Sequence, residues 1–215
     1  MRLASARMSP AALRAADAAR LEECVRRGGV AVFPTDTVYG LGCDPERAAA
    51  VARAHRLKRR PAERPAAVMF FALAPALTAL PDLSAAERVA IGALLPGPVT
   101  LLLPNRGRRF ALACAGDPSV LGLRVPRLSA ALAALAQIER PVLQSSANIS
   151  GGPDPRRLAD VPRALRTGCD LALDGGELPG VASTVIDLRD YHRDGAWRVL
   201  RAGALGADAI ERALA

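Results

Sequence analysis

A single α/β sheet domain is what this sequence predicts, and three observations carry that prediction. Short apolar runs alternate with longer segments of helical periodicity along the whole chain. No linker, internal repeat or low-complexity stretch divides the 215 residues, a length that suits one sizeable core and is short for two. Hydrophobic residues make up 51% of the chain but aromatics only 3%, so the core must be built from Ala, Leu and Val.

Each element has a local reason. Ser9 before Pro10 reads as a helix start, with Leu13, Ala16, Leu21 and Val25 on one face and a stop at Gly28-Gly29. Arg2, Arg7 and Arg14 precede any acid, but the first 16 residues have no secretory apolar stretch and read as part of the fold. Val30 to Phe33 is a short strand cut by Pro34. Asp44-Pro45 opens a second helix that carries Ala49, Val51, Ala54 and Leu57, delivers Lys58 at its end and cannot pass Pro61. Ala66 to Phe71 is a buried strand. Ser84 and Glu87 form a capping box for a helix that ends at Leu95, before Pro96-Gly97-Pro98. Strands follow at Val99 to Leu103 and Val120 to Val125. Ser129 caps a helix to about Ile138, and Pro141 to Leu143 is a strand leading into a polar loop. Leu171 to Leu173, Thr184 to Leu188 and Trp197 to Leu200 complete the strands, and a last helix starts near Ala207.

The formal charge of +8 favours anionic partners, nucleotides or RNA. Cys24, Cys43, Cys114 and Cys169 lie far apart without a C-x-x-C pair, and His55 and His192 complete no zinc spacing. Free thiols in a reducing cytosol follow, and no metal site is expected. No apolar run reaches the roughly 18–20 residues that span a bilayer. There is no G-x-x-x-x-G-K-[ST], no G-x-S-x-G and no H-E-x-x-H, so P-loop, serine-hydrolase and zincin chemistry are unsupported.

Three polar segments each follow a strand or helix end, where α/β proteins place ligands. Thr35, Asp36, Thr37 and Tyr39 with Gly40 and Gly42 either admit a small polar ligand or satisfy their own turn. Arg53, His55, Arg56, Lys58, Arg59, Arg60 and Arg64 crowd like charges that repel unless an anion neutralises them, although a helix C-terminus also attracts cations. Gln144-Ser145-Ser146-Ala147-Asn148-Ile149-Ser150-Gly151-Gly152 is either a phosphate cradle or an ordinary loop. Lys58 is the only lysine beside 28 arginines. A point charge kept where the chain otherwise writes a planar fork suggests a phosphate oxygen or small carboxylate as its partner.

Taken in order, these segments resemble one family. Gly28-Gly29 through Gly42, Lys58-x-Arg60-Pro61, Pro96-Gly97-Pro98-Val99-Thr100, Leu123-Arg124-Val125-Pro126, Ser146-Ala147-Asn148-Ile149-Ser150-Gly151 and Ser183-Thr184-Val185 carry the resemblance to the YrdC/Sua5 threonylcarbamoyl-AMP synthases. It implies a twisted, open α/β sheet with a basic concave ligand-binding face, a single unit over 1–215 with its core at about 12–205, and no C-terminal Sua5 domain. It implies that L-threonine, bicarbonate and ATP, the last with Mg²⁺, become threonylcarbamoyl-AMP and pyrophosphate for the N6-threonylcarbamoyl modification of tRNA adenosine 37. Lys58 and Arg60 correspond to catalytic and nucleotide-binding positions, Ser146, Asn148 and Arg201 to nucleotide contacts, and Thr35, Arg124 and Ser183 to threonine contacts. The family pattern has a histidine where Met69 stands, a departure at a threonine-contacting position. The implied setting is the cytoplasm, with affinity for tRNA or double-stranded RNA, transfer of product to the tRNA threonylcarbamoyltransferase complex and no membrane contact.

The residues present suit that chemistry. A carbamate made from threonine and bicarbonate attacks the α-phosphorus directly, which needs no enzyme nucleophile and agrees with the missing triad. Two other readings compete. A non-catalytic RNA-binding maturation factor fits the charge, but the few aromatics argue against base stacking. Carbamoyl-adenylate chemistry of hydrogenase maturation would call for an acylphosphatase-like segment and paired-cysteine zinc motifs, which the sequence does not show.

Overall fold

The computed structural model describes residues 12–61 and 63–215. Among them, nine strands form one mixed sheet: β1 (Val30–Phe33), β2 (Gly40–Cys43), β3 (Ala67–Met69), β4 (Val99–Pro104), β5 (Val120–Arg124), β6 (Val142–Ser146), β7 (Leu171–Ala172), β8 (Thr184–Asp187) and β9 (Arg198–Arg201). Their order across the sheet is β7-β1-β2-β6-β3-β5-β4-β8-β9. β1 with β7, β3 with β5 and β4 with β8 run parallel, and the remaining neighbours run antiparallel. The α/β class is as expected, a twisted open sheet with helices packed against it.

The helices are α1 (Ala15–Arg26), α2 (Ala48–Lys58), α3 (Leu73–Ala79), α4 (Ala85–Leu94), α5 (Ala111–Cys114), α6 (Arg163–Gly168), α7 (Tyr191–Asp194) and α8 (Ala207–Leu214). The helix start expected at Ser9-Pro10 lies outside the described residues; α1 itself begins after Leu13, with Asp17 accepting the Arg14 N–H at 3.0 Å. It buries Ala18, Leu21 and Val25 and stops where Gly28 takes φ +79°, a left-handed conformation that glycine adopts without strain. The Ser84–Glu87 capping box of α4 is present in both directions, at 3.2 and 2.7 Å.

Several elements differ from expectation for physical reasons. Asp44-Pro45 forms a turn, with Asp44 Oδ1 accepting the Glu46 N–H at 2.9 Å, and α2 starts only at Ala48. The segment after Ser129 is a 3-10 helix, Ala130–Gln137, which buries Leu132 and Leu135. β2 was not legible as a strand. Two of its four residues are glycine, and a side chain at Gly42 would meet Val142 Cγ1 at 2.5 Å and Leu143 O at 2.8 Å, so tertiary pairing overrides low strand propensity. β6 runs on through Gln144 and Ser145 to Ser146, absorbing part of the expected polar loop. No described helix is long and apolar enough to cross a membrane. The four cysteines are free thiols.

Candidate active site

A cleft of about 450 Å³ lies across one face of the sheet. Strand periodicity builds its floor: Thr100 and Leu102 of β4, Gly122 and Arg124 of β5, and Gln144 and Ser146 of β6 line it. The intervening Leu101, Leu103, Leu121, Leu123 and Leu143 turn to the core. The middle of the floor is hollow because Ala67 and Gly122, paired across β3 and β5, are small. The ends of β5 and β6 reach the cleft through Arg124 and Ser146. Arg60, Arg124, Arg189 and Arg201 line it against Asp117 and Asp154.

At one end stands Arg124, 4% exposed. Its Nη2 donates to Asp36 Oδ1 at 2.8 Å and Thr37 Oγ1 at 3.1 Å, and its Nη1 donates to Gln144 Oε1 at 3.2 Å. Its Nε is buried without an acceptor. Burial pushes the guanidinium pKa down and the Asp36 carboxyl up, each against their mutual attraction. Pro34 ends β1, and the turn that follows presents these partners. Thr35 Oγ1 donates to Val38 O at 2.7 Å and accepts the Thr37 N–H at 3.2 Å. Thr35 thus satisfies its own turn, while Asp36 and Thr37 bond to Arg124. Tyr39 turns away, its hydroxyl donating to Gly176 O at 2.8 Å.

At the other end, α2 buries Ala50, Val51, Ala54 and Lys58 on one stripe, so Lys58 occupies what would be an apolar position. Its Nζ donates to Ser146 O, to Asn148 O at 2.9 Å and to Asn148 Oδ1 at 3.0 Å. Burial first, then the charge of Arg60, pushes its pKa down to about 7, with Asp154 opposing. Asn148 Oδ1 also accepts the Ser146 hydroxyl at 2.9 Å, and the Ser150 N–H donates to Lys58 O at 2.9 Å. Arg60 folds back, its Nε donating to Arg64 O at 3.3 Å. The basic cluster divides here: Arg53 leaves it to pair with Asp170 and Gly168 O.

Of the residues anticipated from sequence, Arg60, Arg124, Ser146, Ser183 and Arg201 line the cleft. Lys58 and Asn148 sit one layer behind, both bonded to Ser146. Thr35 reaches the site only through Thr37. Ser183 shares a hydroxyl contact of 2.8 Å with Thr100, and Arg201 Nη2 donates to Ser183 O at 2.7 Å. Met69 is fully buried in the core and does not line the cleft. Sequence reasoning placed Asp36 and Gln144 in candidate ligand segments without singling them out, and it assigned no site role to Thr100 or Asp154. Gln144 did leave a signal, a long amide in a strand otherwise apolar or small.

A family model described as telomere recombination, Sua5/YciO/YrdC, matches residues 23–203. The chain belongs to the Sua5/YciO/YrdC family. A threonylcarbamoyl-AMP synthase of Pyrococcus abyssi is 32% identical over 191 residues, covering 88% of this chain and 55% of that protein. One from Chromohalobacter salexigens is 35% identical, with 85% of this chain and 96% of the relative covered. The crystal structure of P. abyssi Sua5 complexed with L-threonine superposes with a TM-score of 0.81 at 30% identity, covering 94% of this chain and 58% of that one. This chain therefore spans little more than half of the archaeal member of the family and nearly all of the bacterial one.

Proposed function

We infer that this chain is a threonylcarbamoyl-AMP synthase, converting L-threonine, bicarbonate and ATP to threonylcarbamoyl-adenylate and pyrophosphate. The observation that carries the reading is one cleft with two differently built ends. A buried arginine with an unused donor suits an amino-acid carboxylate, and the Lys58–Ser146–Asn148 knot beside Arg60 suits a nucleotide. The names of the relatives support the same reaction.

In this reading Arg124, oriented by Asp36, Thr37 and Gln144, holds the threonine carboxylate, with Ser183 on the cleft wall and Thr35 acting through Thr37. Ser146, Asn148, Arg60 and Arg201 orient the nucleotide, and Lys58 acts there by fixing the Ser146–Asn148 backbone. The carbamate oxygen then meets the α-phosphorus without an enzyme nucleophile, and the arginines offset the charge that builds as pyrophosphate leaves. Among the described residues no group of three or more His, Cys, Asp or Glu could hold a metal alone. Asp154, 3.5 Å from Asn148 Nδ2, is the carboxylate at this end of the cleft. That donor set fits Mg²⁺ held mainly by phosphate oxygens and water with one protein carboxylate, where the ion would neutralise phosphate charge. The catalytic unit is the single domain of residues 12–205, acting in the cytoplasm. A formal charge of +8 supports tRNA affinity and transfer of product to the tRNA threonylcarbamoyltransferase complex.

The test incubates the purified protein with ATP, Mg²⁺, bicarbonate and threonine. Pyrophosphate and the labile adenylate are expected together, and both must vanish when threonine is omitted. Pyrophosphate release that ignores threonine would overturn the reading.

A further inference from the structure

Gln144 is 3% exposed and stands on the cleft floor, between the two ends of the site. Its Oε1 accepts from Arg124 Nη1 at 3.2 Å, and since a guanidinium offers only donors, the amide orientation is fixed. Nε2 must then face the other way. It lies over Gly40, where an added Cβ would come within 2.9 Å of Nε2 and 3.2 Å of Gln144 Cγ. Gly40 is the cross-strand partner of Ser146, so Nε2 is turned from the arginine end toward the nucleotide end. Among the described residues no acceptor meets Nε2, and since it is not one of the buried unpaired atoms, its N–H groups open onto the cleft. The floor around it is small: Gln144 pairs with Gly42 on one side and Ala67 on the other, and Ala67 pairs with Gly122. At that spot the acceptor is cleft water or the molecule that displaces it.

We propose that Gln144 Nε2 binds the one-carbon oxyanion of the reaction, bicarbonate and then the carbamate made from it. The assignment rests on the synthase reading, because that reaction places the carbamate between the threonine carboxylate and the α-phosphate. The Gln144 amide spans the same gap, its oxygen on Arg124 and its N–H groups toward Ser146, two residues or about 7 Å along β6. A neutral donor is suited to this position. It orients an oxyanion that must stay nucleophilic, whereas a cation there would hold its charge in place.

The test is steady-state kinetics with bicarbonate varied in CO₂-depleted buffer, alongside calorimetric Kd values for threonine and ATP. Gln144→Leu should raise the bicarbonate KM by about ten- to a hundredfold, the loss typical of a hydrogen bond to a charged group, and raise the threonine Kd by a clearly smaller factor because Arg124 loses its Oε1 acceptor, while the ATP Kd stays within about twofold. Gln144→Glu keeps an oxygen for Arg124 but sets a carboxylate against the oxyanion, and should raise the bicarbonate KM further. A folded, active variant pair with unchanged bicarbonate KM overturns the assignment, as does a threonine Kd that rises in step with it, which would reduce Gln144 to a prop for Arg124. A wild-type protein that forms no adenylate overturns the synthase reading itself.

Discussion

An ammonium has three protons, and Lys58 commits all three to the Ser146–Asn148 segment. A guanidinium is larger and planar, so it cannot meet the same three oxygens from the same helix stripe. Lys58→Arg should therefore lower adenylate formation on the order of a hundredfold despite the conserved charge, read as pyrophosphate release. Normal turnover would make the solitary lysine a coincidence. The same residue sets a pH dependence. Folded, Lys58 titrates at about 7 against 10.5 for a free lysine, so between those values the unfolded chain binds the extra proton. Stability then rises with pH across that window. Urea melts at about pH 7 and about pH 10 should show wild type gaining on Lys58→Met, whose side chain does not titrate; a pH-independent difference would contradict this. Asp36→Asn leaves the buried Arg124 without its countercharge and should cost about 3–5 kcal/mol, measured by chemical denaturation. Composition pointed to Lys58 and motif order to Arg124. Neither could show that Lys58 serves the cleft from behind, because a hydrogen bond to a distant backbone carbonyl leaves no trace in side-chain identity.

Among elements, those with local signals were legible and those made by tertiary pairing were not. The α4 capping box is written in two residues and is present, and Ser84→Ala should lower stability by about 1 kcal/mol in the same assay. β2 and the end of β6 are rich in glycine, serine and glutamine, residues that read as loop, yet β2 and Gln144 pair on both sides within the sheet and Ser145 and Ser146 pair with β2. That is why the polar stretch from Gln144 to Ser146 reads as a loop, when its strand geometry is what aims Gln144 and Ser146 at the cleft. Gly203 also shapes the site through backbone approach. A Cβ there would fall 2.3 Å from Ala182 O and 2.6 Å from Thr184 N, against backbone that cannot move aside like a side chain. Gly203→Ala should displace the Ala182–Ser183 wall of the cleft, weakening threonine binding by about tenfold or more and lowering the melting temperature. Unchanged threonine affinity would show that this wall yields without cost.

Over the whole molecule, charge and topology act separately. If the +8 charge serves tRNA, binding should weaken at least about a hundredfold between roughly 50 and 200 mM salt, as expected for several phosphate contacts, while threonine affinity changes little. Salt-insensitive binding would mean that the arginines face solvent for other reasons. The fold class was legible because alternating helix and strand signals survive in local sequence. The strand order was not, since nothing local says that β6 enters between β2 and β3. That insertion has a consequence in time. The β1–β2 hairpin and the β3–β5–β4 unit touch β6 from opposite sides, and β4 waits for β8. During synthesis the two halves of the sheet cannot join until residue 146 has left the ribosome, and the cleft wall at Ser183 closes later still. Bare strand edges persist through that interval, so the nascent chain is most open to mispairing while the part that will seal it is still being translated.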